Sequence, residues 1–306
     1  MISSFVTILA QDLYLTTKPH PRSIPIASVS NMEWKSLKTL NMRNTFNQDL
    51  HDLPLPEGLH YVTFGDAFNQ SLDDTYLPES LHSITFGKHF NQNLNNAELP
   101  DGIEVLTFGK HFNQSLSGTT LPQNLKSLTF GDGFNQSLGN TKLPRTLKSL
   151  TFGTLFDQYL ANTIFPNSLQ NLTFGEAYNR SLDHVRLPTS LKFLKFGEAF
   201  NQSLDYTHLP ETLTDLVFGC YFNKSLDDAT LPESLRRLTF GDHFDCDLDN
   251  TTLPRCLQVL IFGKHFNQSL QHVYLPRTLL TLTLGEGFKQ TLENVPMPRG
   301  IRVLSV

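Results

Sequence analysis

Histidines stand 22 residues apart at His89 and His111, and again at His243 and His265. If the chain repeats with that period, each pair brings two imidazoles together. Such a pair holds a transition metal when further ligands join it, and no residue of fixed register supplies a third one here. Asp183, Asp205, Asp227 and Asp249 share the same interval, with Asp74 and Asp228 adding charge in the adjoining register. Stacked carboxylates offer the oxygen ligands that suit calcium. Asp at an exposed turn, however, also serves local hydrogen bonding, and neither an EF-hand nor a glycine-rich calcium motif is present. These residues are read as surface histidines and solvated turn aspartates, and no metal or other cofactor is expected. Cys220, Cys246 and Cys256 fall in different registers, which gives neither a disulfide framework nor a metal knuckle. There is no nucleophile elbow, no glycine loop opening a helix to cradle phosphate, and no His-Glu-x-x-His. The expectation is that the protein is not an enzyme.

The interval itself is the main message. A glycine recurs every 22 residues at Gly65, Gly87, Gly109, Gly131, Gly153, Gly175, Gly197, Gly219, Gly241, Gly263 and Gly285, without insertion or deletion. A fixed period in this range marks a solenoid, in which each unit buries its apolar side only against its neighbours. One elongated domain is therefore expected where the length of 306 residues alone suggests about two.

Within the unit at 77–98, Leu81, Ile84 and Phe86 follow the L-x-x-L-x-L spacing of leucine-rich repeats. Ile84 and Phe86 point inward from a short strand while Ser83 and Thr85 point outward. Gly87 permits a positive-φ or crowded bend, and Phe90, Leu94 and Leu99 return apolar groups to the interior. The fold class expected is a β-rich, leucine-rich-repeat-like solenoid of about twelve coils, with one short parallel strand per coil, irregular turns behind it, and little or no α-helix. All but three of the 24 phenylalanines fall into two rows, from Phe64 to Phe262 and from Phe46 to Phe288, with Tyr178 substituting once. Such rows stack as core spines. The row of Asn69, Asn91, Asn113 and Asn135 follows the second Phe, and an Asn fixed there can bond backbone groups between coils as an asparagine ladder. Asp157 and Asp245 can still accept in that row, whereas Lys289 cannot.

Residues 1–30 do not fit the register. With Phe5, Val6, Ile8, Leu9, Leu13 and Leu15, and then Pro19, Pro21 and Pro25, they read as an N-terminal cap or leader before the repeat region at 31–306. The first coil is degraded, with Arg43 where later coils have Gly. Met297, Pro298, Ile301, Leu304 and Val306 begin a last unit that is incomplete, so its strand is expected to leave an open edge, and self-association through that edge is the alternative to a heterologous partner.

A net charge of −5 with interspersed signs provides no electrostatic footprint for nucleic acid or anionic lipid. No apolar run is long enough to span a membrane, and no basic segment precedes the short apolar N-terminal stretch. Asn69, Asn113, Asn135, Asn201 and Asn267 each begin a glycosylation sequon in what is expected to be a buried row, which favours a cytoplasmic protein.

On the outward strand positions, the row of Thr63, Thr85, Thr107, Thr129, Thr151 and Thr173 is uniform and then breaks at Lys195, Val217 and Ile261. Its neighbour becomes Phe193, Asp215, Arg237 and Val259 over the same coils, flanked by Lys192 and Arg236. An apolar centre with arginine and a mixed rim suits a protein hot spot, so this patch is the expected partner-binding surface.

The unit L-P-x-x-L-x-x-L-x-F-G-x-x-F-N-Q-x-L resembles the FNIP repeat, a leucine-rich-repeat relative of social amoebae and giant viruses. The resemblance runs from residue 37 to residue 306. It departs at the tetrapeptide that names the family, since Gln-x-Leu follows Phe-Asn, as in Phe90-Asn91-Gln92-Asn93-Leu94. It implies a protein-interaction scaffold and supplies no catalytic residue. Some members carry an F-box or kinase domain ahead of the repeats, for which residues 1–30 are too few.

Overall fold

The computed structural model describes residues 35–51, 53 and 55–305, together with the backbone of 13–15 and 24–25. The chain divides into two compact units, Met1–Leu147 and Lys148–Val306.

The first unit carries β1 (Leu13–Leu15), β2 (Ile24–Pro25), β3 (Thr39–Met42), β4 (Tyr61–Thr63), β5 (Ser83–Thr85), β6 (Val105–Thr107) and β7 (Ser127–Thr129). From β3 to β7 each strand pairs parallel with the next at an offset of one repeat, so that Val62, Ile84, Leu106 and Leu128 line up. β1 runs antiparallel to both β2 and β3. Phe5, Val6, Ile8, Leu9, Pro19 and Pro21, on which the expected cap also rests, lie outside the described residues, as does Val306.

The second unit carries β8 (Ser149–Thr151), β9 (Asn171–Thr173), β10 (Phe193–Lys195), β11 (Asp215–Val217), β12 (Arg237–Thr239), β13 (Val259–Ile261), β14 (Thr281–Leu284) and β15 (Arg302–Ser305). β8 to β14 are again parallel in one-repeat register. The last pairing corrects the sequence expectation. Repetition would place Leu304 opposite Leu282 and facing inward, but Val303 takes that place and Leu304 pairs with Thr283, 48% exposed. Gly300, in the turn before the strand, has φ +76°, and the strand beyond it pairs one residue short of the repeat. A one-residue slip moves side chains to the opposite face.

Each coil is a strand followed by three tight turns. In the coil after β5, the Phe90 amide donates to the Gly87 carbonyl, Ala97 to Leu94, and Ile103 to Pro100. The motifs G-x-x-F, L-x-x-A and P-x-x-I thus each close a turn, and their terminal apolar residues are buried. The phenylalanines form two spines in each unit. Phe86 lies 3.9 Å from Phe90 within a coil and 5.5 Å from Phe108 in the next coil, with rings nearly parallel. In the second unit Phe196, Phe200, Phe218 and Phe222 repeat this packing.

Close approach, rather than a left-handed backbone, explains the glycine row. A Cβ on Gly109 would sit 1.8 Å from the Gly87 carbonyl oxygen, and one on Gly219 1.9 Å from that of Gly197. The obstruction comes from the preceding coil of the repeat. Arg43 holds the same position in the first coil, where the repeat register begins.

Candidate functional site

The strand face of the second unit is set by the pleat. Leu194, Leu216, Leu238 and Leu260 are fully buried at the strand centres, so the residues on either side turn outward. Phe193, Asp215, Arg237 and Val259 stand opposite one another across β10 to β13, and Lys195, Val217, Thr239 and Ile261 form the parallel row. Lys192 and Arg236 precede their strands and are exposed. Of the nine residues singled out from the sequence, seven therefore lie on four adjacent strands and two directly before them. Lys192, Lys195, Arg236 and Arg237 are exposed, while Phe193, Asp215, Val217, Val259 and Ile261 are half-buried by their neighbours.

Asp215 is already engaged within this face. Its Oδ1 lies 3.4 Å from Arg237 Nε, and its Oδ2 accepts a 2.7 Å hydrogen bond from Thr214 Oγ1. An ion pair this exposed contributes only about 0–1 kcal/mol to stability. It engages Arg237 through Nε, and the arginine side chain stays about half exposed.

Behind the sheet, polar ladders tie coil to coil. Asn69 Oδ1 accepts from the Asn91 amide at 2.8 Å, and Asn91 Oδ1 in turn from the Asn113 amide at 2.8 Å. The glutamine that follows adds its Nε2, as Gln92 does to Asn69 Oδ1 at 3.2 Å. Asp157 and Asp245 accept in the same way from the amides of Asn179 and Asn267, and the Lys289 amide donates to Asn267 Oδ1 while its own side chain has no acceptor to offer the next coil. The row is half-buried or exposed, which corrects the expectation that it is buried; it lies along the coil surface while its side-chain oxygens reach the next coil.

Two further polar features escaped the sequence reading. In several coils a hydroxyl three residues after the leucine of the Leu-Pro pair bridges two carbonyls of the preceding coil: Ser80 Oγ donates toward Glu57 O and Leu59 O, and Thr212 Oγ1 toward Thr189 O and Leu191 O. The signal was a Ser or Thr recurring in one register, at Ser80, Thr146, Ser190, Thr212, Ser234 and Thr278. The other is a charged replacement within the ladder. Where Asp157 replaces Asn, Arg180 replaces Gln, and its guanidinium lies 2.8 Å from Asp157 Oδ2 and over the Tyr159 ring.

The histidine pairs do meet, with His89 Nδ1 3.1 Å from His111 Nδ1 and the rings of His243 and His265 5.2 Å apart. Among the described residues no group of three or more His, Cys, Asp or Glu is gathered to hold a metal ion. Asp183, Asp205 and Asp227 sit in turns whose amides donate to the preceding serines. Cys220 Sγ lies 3.4 Å from His243 Nδ1, but desolvation, followed by the charges of Asp242 and Glu198, pushes its thiol above the ordinary cysteine value. That disfavours the thiolate a nucleophile needs. No described helix is long and apolar enough to cross a membrane.

One-strand coils joined by tight turns and polar ladders define a leucine-rich-repeat-like β-solenoid, a fold typical of protein–protein interaction scaffolds. The chain belongs to the FNIP-repeat family: the FNIP Repeat matches residues 46–89, 90–133, 134–177, 178–221, 222–265 and 248–287. Among solved structures it is similar to CroV588 of the giant virus CroV, described as a novel circular LRR protein, with 33% identity and a TM-score of 0.66. That match covers 89% of this chain and 47% of CroV588, so the chain spans about half the length of that relative. The internalin InlF of Listeria monocytogenes, 14% identical with a TM-score of 0.54 over 100% of this chain and 89% of that one, shares the fold alone. No curated protein sequence matches the chain.

Proposed function

We propose that this chain is a non-enzymatic scaffold that binds a protein partner through the strand face of its second unit. The observation that carries the reading is the break at Lys195, Val217 and Ile261 in an outward row that is Thr from Thr63 to Thr173. Small Ser and Thr side chains on β7 and β8 give way on β10 to β13 to Phe193, Lys195, Asp215, Val217, Arg237, Val259 and Ile261. Core positions on the same strands stay Leu throughout. The change is thus confined to side chains that packing does not dictate, and the aromatic, aliphatic and arginine groups there are those that anchor interfaces. We place the protein in the cytoplasm, since its sequon asparagines are committed to the ladder between coils. We also assign residues 1–30 as the cap of the first coil, a reading supported by β1 lying along β3.

The test is affinity capture from source-cell lysate with the parent protein and with the Phe193→Asp, Arg237→Glu double variant, each checked for folding by circular dichroism. A partner retained by the parent and lost by the folded variant supports the assignment. A partner retained equally by both places the surface elsewhere.

A further inference from the structure

The turn that leads into each strand carries, directly after its proline, an exposed row: Glu57, Glu79, Asp101, Gln123 and Arg145 in the first unit, and Glu211, Glu233, Arg255, Arg277 and Arg299 among those in the second. Side chains in one register of parallel coils repeat about every 4.8 Å. Three acidic groups are therefore stacked in the first unit and three arginines in the second. Like charges aligned across neighbouring strands repel, and none of the three guanidinium groups is in an ion pair among the described residues, although the Arg255 amide donates to Glu233 Oε2 at 2.9 Å.

From this we infer that the row is a self-recognition surface, on which the first unit of one molecule docks antiparallel against the second unit of another copy of the chain. The two rows share a pitch because the same inter-strand spacing sets both. Read in opposite directions, they match in sign: Glu57 meets Arg299, Glu79 meets Arg277, Asp101 meets Arg255, and Arg145 meets Glu211, while Gln123 faces Glu233. The same alignment brings the exposed Tyr76 and Tyr274, 56% and 71% accessible, opposite each other in the row beyond the prolines. It also sets Lys142 near His208, the one pairing of two basic side chains in these two rows. A parallel alignment that starts with Glu57 on Glu211 pairs like charges, and one shifted so that Glu57 meets Arg255 matches only the three acid–arginine pairs, whereas the antiparallel alignment adds Arg145 on Glu211. This surface lies on the turns and is separate from the strand face proposed for a heterologous partner.

Sedimentation equilibrium on the full chain tests the inference. The parent should self-associate at low salt and dissociate as salt screens the pairs. Glu79→Arg alone and Arg277→Glu alone should each weaken association at least about tenfold, and the two together should restore it. Both side chains are exposed and outside the ladders, so the variants should keep the parent's circular dichroism. A parent that remains monomeric at low salt overturns the inference. So does association that the single reversals leave unchanged, or that the double exchange fails to rescue. Because capture of a partner through Phe193 and Arg237 is measured separately, failure of one surface does not count against the other.

Discussion

Replacing Asn113 separates the two roles that its side chain plays between coils. Its Oδ1 accepts from the Asn135 amide at 2.9 Å and from Gln136 Nε2 at 3.1 Å, while its own amide donates to Asn91 Oδ1. Asn113→Ala keeps the last bond, which belongs to the backbone, and loses the first two. A net hydrogen bond contributes about 0.5–1.5 kcal/mol, and a stranded, partly buried N–H costs about 1–3 kcal/mol. The side chain is exposed, so water recovers part of the loss, and the expected destabilisation is about 1.5–3 kcal/mol. Asn113→Asp keeps both acceptor contacts, as Asp157 and Asp245 do in their own coils, and should stay within about 0.5 kcal/mol of the parent. Urea unfolding gives the totals. Amide exchange at Asn135 gives the local effect, which should rise for Ala and not for Asp, since neighbouring coils interact pairwise. An alanine variant as stable as the parent, or an aspartate variant as damaged as the alanine one, would refute the ladder as a source of stability.

The glycine argument predicts that Gly219→Ala loses more than about 4 kcal/mol or fails to fold, because its Cβ meets a backbone carbonyl at 1.9 Å. Gly58→Ala, which meets chiefly the flexible end of Lys38 at 3.0 Å, should cost under about 1 kcal/mol in the same thermal melts. Tyr178 buries its hydroxyl in the phenylalanine spine without a hydrogen-bond partner, and burial, then the charge of Asp157, pushes that hydroxyl far above its ordinary pKa. Tyr178→Phe keeps the stacking with Phe156 and Phe200 and should be neutral or stabilising by up to about 1 kcal/mol in urea unfolding; a clear loss of stability would show that the hydroxyl has a partner. Desolvation, then Lys38, then His82 hold His60 below its ordinary value of 6.5. The folded state therefore binds fewer protons, so this contribution is full above pH 6.5 and is lost as pH falls through the lower folded value. NMR titration should show His60 protonating below the unfolded value, and His60→Gln should flatten the pH dependence of the urea midpoint over that window.

Much of this protein is written in its period. Because each coil contacts the coils 22 residues away, the positions of Leu, Phe and Gly along the chain state directly which side chains stack, and the strands, both phenylalanine spines and the asparagine ladder follow from that spacing. The alternation within each strand likewise placed Phe193, Asp215, Arg237 and Val259 on one outward face. Other features depend on distances that a period does not contain. The glycines could have served a left-handed turn, and only the approach of the preceding carbonyl shows that they make room for backbone. The Ser and Thr row could have been solvated, and only the carbonyls of Glu57 and Leu59 within reach of Ser80 reveal a second ladder. β15, after a left-handed Gly300, pairs one residue out of register, which moves Leu304 from the inward to the outward row. Periodicity determined which residues are neighbours, whereas backbone packing decided how closely they meet and which polar atoms bond.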